Sequence, residues 1–169
     1  MTAPAVVLLP LPAADTPLRR RRIRRRTRAV LRDLALPAYG VTPEVLARAV
    51  ADRLGTEIEL VEHALPARGP SGATFADAKG YVVFFQSQTS VTHQAHHITH
   101  ELAHILTGTL ASVAEHTAPP DPDCEEDAEL VASIIACLVG LRAERVRSPE
   151  PTPTLTRLAA ALDDYAERW

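Results

Sequence analysis

Five residues, His100-Glu101-Leu102-Ala103-His104, hold the clearest chemistry in this chain. On an α-helix, positions four apart lie one turn apart on the same face. His100 and His104 can then each offer an imidazole nitrogen to one Zn²⁺, at about 2.0–2.1 Å. Glu101 sits beside the pair, placed to take a proton from a water activated by the metal. The pattern points to metal-assisted hydrolysis with one Zn²⁺ per chain. Two ligands leave such a site incomplete, so a third must come from elsewhere.

Glu125-Glu126-Asp127-Ala128-Glu129 opens a later helical stretch and offers the missing donor. One carboxylate from that helix closes three corners of a tetrahedron and leaves the fourth for water. An acid in a helix's first turn is favoured by the dipole, which helps keep it ionised. Glu125 and Glu129 are one turn apart, so both can face the site, one as ligand and the other hydrogen-bonded to a ligand histidine. A tetrahedral oxyanion needs a further donor. His93, His96, His97, His116 and Tyr81 are the candidates, and the sequence does not rank them. The first three histidines also read as a partly exposed rim of the cleft, and His116 as a loop residue. Cys124 reads as a bystander to the metal, and Cys137, amid Ile134-Ile135-Ala136 and Leu138-Val139, as core.

These side chains need a scaffold. Residues 1–18 read as a tail. Pro17 opens a helical stretch to about Leu36, with Ile23, Val30, Leu31 and Leu34 near one stripe and arginines elsewhere. Thr42-Pro43-Glu44 predicts a capped helix start and Gly55 its stop. Glu57–His63 reads as a half-buried strand. Ala73–Ala76 and Tyr81–Gln86 read as a hairpin, and Tyr81-Val82-Val83-Phe84-Phe85 is the strongest strand in the chain. Thr92 is the expected cap of the motif helix, which runs to about Leu106. A helix from about Cys124 to Arg145, with acids first and arginines last, suits the dipole. Pro149, Pro151 and Pro153 precede a last amphipathic helix, Leu155 to Arg168.

The 169 residues suffice for one domain with a real core. With 46% apolar residues and only 4% aromatic, that core must rest on Leu, Val, Ile and Ala. Two cysteines are too few for a disulfide framework and fit a reducing compartment. The net charge of −3 hides an asymmetry: nine arginines and no acid lie between Arg19 and Arg32. From Asp33 onward, nine basic residues face twenty acidic ones. Clustered arginines can neutralise phosphates. Without aromatic interleaving or a helix-turn-helix, docking of Arg19–Arg32 to an acidic protein, or to the chain's own acidic surface, is the stronger reading. The charge of the N-terminal region follows its apolar run, the reverse of a secretory signal. No stretch reaches about 18 uncharged apolar residues, so no membrane span is expected and the expected location is the cytoplasm.

The order of strand Tyr81–Gln86, polar connector, His-Glu-Leu-Ala-His helix and acid-rich helix with Ala128 and Ala132 resembles the zincin metallopeptidases whose third ligand is a glutamate. Within these it most resembles the ImmA/IrrE family, over roughly residues 43–140. The resemblance implies that Glu125 is the third ligand and that Glu129 is an acidic residue supporting the ligands. Departures are Val131 where an aromatic is common, the missing Pro after the second helix, and the lead-in His93-Gln94-Ala95-His96-His97. The expected fold is α+β, a compact zincin-like domain with a small, mostly antiparallel sheet of about three strands. Residues 19–148 form that domain, and 149–169 add a helix packed on it. The implied function is a zinc metallopeptidase acting on a regulatory protein or peptide, a transcriptional regulator among the candidates. A zinc-binding interaction module with little hydrolysis, and an amide hydrolase of small-molecule or biosynthetic peptide substrates, are the alternatives.

Overall fold

The uninterrupted apolar run Val82-Val83-Phe84-Phe85 has no polar face to give to water, so it must be covered on both sides. In the computed structural model, which describes residues 17–65, 71–76, 79–110 and 122–166, it is the middle of a three-stranded sheet. The elements in chain order are α1 (Pro17–Asp33), α2 (Pro43–Leu54), β1 (Glu57–His63), β2 (Gly72–Ala76), β3 (Gly80–Gln86), α3 (Val91–Thr107), α4 (Pro122–Val139) and α5 (Pro153–Ala166). Residues 1–16 of the expected tail, and His116, lie outside the described residues, while Pro17 and Leu18 belong to α1 rather than to a tail. The fold is α+β, with strand order β1-β3-β2.

The sheet is mixed, not mostly antiparallel. β2 and β3 form the expected antiparallel hairpin, with Thr74 opposite Val83. β1 instead runs parallel to β3, Leu60 beside Val83. Hairpin pairing is local and shows in turn residues; the partner of β1 is set by long-range packing that strand patterning does not encode.

Alternation along β3 sorts the core into two clusters. Val83 and Phe85 join Leu60, Leu46, Val50, Ile98, Leu102, Ala128, Ala132, Ile135 and Ile23 on the side of α1–α4. Val82 and Phe84 face the other way, against Leu155 and Leu162 of α5, with Phe75 and Leu65. Each fully buried Leu, Ile or Phe contributes about 1.5–3 kcal/mol. The sheet is thus clamped between helical layers, and α3 lies in the larger cluster. Buried Gln94 fixes the start of α3 against the sheet, its Nε2 donating to Glu62 Oε1 at 2.9 Å and to the Gln86 carbonyl at 3.2 Å.

Thr42 caps α2, its hydroxyl accepting from Val45 N. α3 is capped by Ser90, whose hydroxyl accepts from His93 N, and not by Thr92, which falls inside the helix. α1 ends at Asp33, short of Leu36. α4 ends at Val139 rather than near Arg145, because Gly140 turns left-handed at φ 58° and Leu141 N bonds back to Ala136 O. Arg142 and Arg145 therefore sit beyond the helix, whose last turn carries no basic residue. Cys137 is exposed, not core: Ala128, Val131, Ala132 and Ile135 make the inward stripe, and Cys137 lies off it. Among the described residues, no helix is long and apolar enough to cross a membrane.

Candidate metal centre

α3 and α4 pack along one another, and this contact completes the constellation. His100 and His104 project from one face of α3 toward the first turn of α4. Their Nε2 atoms lie 3.0 Å apart. Glu125 Oε2 is 3.2 Å from His100 Nε2, and its Oε1 is 3.4 Å from His104 Nε2. One ligand atom from each of the three falls within 4.8 Å of the others. Donors about 2.05 Å from a tetrahedral Zn²⁺ stand about 3.3 Å apart, so these separations suit a small divalent ion. Lone pairs this close need a hydrogen-bonding proton or a metal ion between them. His104 is nearly buried while Glu125 remains 41% exposed on its side chain, so the cluster opens to solvent along α4.

Hydrogen bonding assigns the tautomer of His104. Thr107 spends its hydroxyl proton on the Ala103 carbonyl at 2.8 Å, a common way to satisfy a helical threonine. Thr109 must then donate to Thr107 Oγ1, 2.8 Å away, and its own oxygen accepts from His104 Nδ1 at 2.9 Å. The Nε2 lone pair is left facing the cluster. Burial, ahead of the neighbouring charges, pulls the His104 pKa down, which favours this neutral form. His100 is oriented by Glu129, whose Oε2 lies 3.4 Å from His100 Nδ1 and 3.3 Å from His96 Nε2.

Glu101 reaches toward β2 while staying within the electrostatic reach of His100 and Glu125. Thr74 donates to its Oε2 at 2.7 Å in a buried setting. A Cβ at position 72 would stand 2.9 Å from Glu101 Oε1, so glycine there leaves the carboxylate its space. Burial raises the Glu101 pKa to about 7, against the lowering effect of Thr74 and His100. The group can therefore both hold and release a proton near neutrality.

The other candidates fare unequally. His97, one turn before Glu101, approaches Ser71 Oγ at 3.0 Å just ahead of β2. Burial and the neighbouring His96 and His93 lower its pKa. His93 is exposed, beside Ser90 and stacked on His97. Tyr81, at the far end of the hairpin opposite Ala76, packs into the larger core, and none of the contacts of the described residues joins it to the cluster. No family model, curated protein or solved structure matches this chain.

Thr74, Gly72, Thr107 and Thr109 escaped the sequence reading. A threonine in a strand, or one just past a helix-ending glycine, is too ordinary to flag. Their roles exist only because β2 and the end of α3 meet the motif in space.

Proposed function

We propose that the chain is a zincin-like, ImmA/IrrE-like zinc peptidase that hydrolyses a peptide bond of a regulatory protein or peptide. The observation that carries this reading is the meeting of His100, His104 and Glu125 beside a buried Glu101 whose pKa lies near 7. His100 and His104 would hold the ion through Nε2 and Glu125 through its carboxylate. Zn²⁺, when bound, lowers the pKa of water toward ~7 and polarises a carbonyl. Glu101 accepts the proton of the attacking water at a carboxylate oxygen as the new C–O bond forms. It then passes that proton to the departing amine nitrogen as the C–N bond breaks. A pKa near the working pH serves both transfers, and Thr74 holds the carboxylate in place for them. Glu129 and Thr109 keep the two ligand rings oriented.

A peptide is favoured over other amides by β2. Among the described residues it is an edge strand, paired only with β3, and it runs beside Glu101. An open edge can hydrogen-bond an extended peptide backbone and hold it in register.

The test is Glu101→Gln in the full chain, assayed on a diverse peptide mixture read by mass spectrometry. Wild type is expected to take up one Zn²⁺ per chain and to cleave. The variant should keep the Zn²⁺ and cleave about 10²-fold or more slowly. Undiminished cleavage would overturn the proposed role of Glu101, and failure of the wild type to bind Zn²⁺ would overturn the site.

A further inference from the structure

α1 carries more positive charge than the fold uses. Arg19 and Arg20 are spent on α4, pairing with Asp127 and Glu126. Further along, Arg21, Arg24, Arg25, Arg28 and Arg32 recur at helical spacing on another face, and none is in an ion pair with a described residue. They line one side of a groove of about 810 Å³. Its floor is apolar: Leu31 of α1, Leu36, Pro37 and Ala38 of the following loop, and Leu138 and Val139 at the end of α4. Among the described residues no acidic side chain lines it. Leu138 is 44% exposed there, and Tyr39, next along the loop, is 90% exposed.

We propose that this groove docks an acidic amphipathic segment of a partner protein. Five guanidinium groups at one rim call for several carboxylates spaced along one element, since each fork matches a carboxylate. The leucine- and proline-lined floor calls for apolar side chains on that same element. A helix with acids along one edge and leucines along the next satisfies both. A nucleic-acid duplex would meet the arginines but leave the floor uncovered, and among the described residues no aromatic lines the groove to stack a base. Rim charges guide encounter and register, while the apolar contact holds the segment once seated. The site is separate from the metal centre and does not depend on what is hydrolysed there.

The test uses the full chain and a fluorescein-labelled helical peptide of leucine and glutamate. Anisotropy is read at about 0.15 M ionic strength, where contacts beyond about 8 Å are screened. Saturable binding is expected, weakened about tenfold or more by Arg24→Glu/Arg28→Glu, since two rim pairs become repulsions. Leu138→Gln should weaken it as well. Arg22→Glu/Arg26→Glu makes the same charge change on exposed positions outside the groove and should alter binding less than about twofold. Equal loss in the two double variants would mean unspecific attraction and overturn the proposal. Absence of saturable binding, equal binding of a sequence-scrambled peptide, or tighter binding of duplex DNA at the same arginines would each do so too. Circular dichroism of each variant separates a lost groove from a lost fold.

Discussion

Replacing Glu125, Glu126 and Glu129 singly by alanine should rank them by their place around the cluster. Structural Zn²⁺ sites bind with about 10–16 kcal/mol, or roughly 2.5–4 kcal/mol for each of four ligands. Glu125 lies within 3.4 Å of both imidazole Nε2 atoms. Its loss should therefore weaken Zn²⁺ about 10²–10³-fold by that division. Glu129 touches His100 only through Nδ1, at 3.4 Å. Removing such a supporting carboxylate typically costs about 10–100-fold. Glu126 pairs with Arg20 at 2.9 Å, both side chains more than half exposed. That pair is worth at most about 1 kcal/mol of stability and nothing in metal affinity. Competition against a chromophoric chelator at constant pH reads all three affinities. The expected order of loss is Glu125, then Glu129, then no change at Glu126. A loss at Glu126→Ala equal to that at Glu125→Ala would refute the assigned ligand.

Thr109→Val should weaken Zn²⁺ about 10–100-fold in the same chelator assay, because His104 Nδ1 loses its acceptor and the ring its fixed tautomer. Gly72→Ala should slow cleavage about tenfold or more, measured where both proteins are folded, since its Cβ would crowd Glu101 Oε1 at 2.9 Å, and should lower the melting temperature because the same Cβ meets Glu101 Cγ at 3.2 Å and the Phe84 carbonyl at 3.3 Å; full activity would show that the carboxylate needs no such space. Glu101 also makes stability depend on pH. Its folded pKa, about 7, lies above the ordinary carboxylate value, so the unfolded chain loses its proton first. In metal-free protein its contribution is then fully present below about pH 4.5 and is lost, by roughly 3 kcal/mol, as pH rises through about 7. His104, pulled the opposite way, loses stability as pH falls through the ordinary histidine range. The difference between wild-type and Glu101→Gln denaturation curves isolates the glutamate, and a pH-independent difference would refute its raised pKa.

Much of this was legible from residue spacing because the signals are local. His100 and His104 at i and i+4 need only a helix to share a face. Thr42 and Gly55 bound α2 through backbone requirements of one turn. The apolar run Val82–Phe85 demands two covered faces, hence the centre of the sheet. Where local signals compete, spacing misled. Ser90 and Thr92 are both good caps by type; the helix starts from the earlier one, and Gln94 in its first turns bonds to Glu62 of β1 and Gln86 of β3. Gly140 outweighed the apolar periodicity that would have carried α4 to Arg145.

The sequence by itself determined the helix that presents two imidazoles and an acid, the hairpin beside it and the helix rich in carboxylates. Spacing alone left Glu125 and Glu129 interchangeable and the family resemblance favoured Glu125; tertiary structure sets Glu125 3.2 Å from His100 Nε2 and Glu129 3.4 Å from its Nδ1. It also decided that Thr74 and Gly72 hold Glu101, that β1 runs parallel to β3, and that five arginines are left over a groove. Helix and turn preferences act over a few residues. Contacts between distant segments depend on how whole faces pack, and no short window of sequence contains both partners.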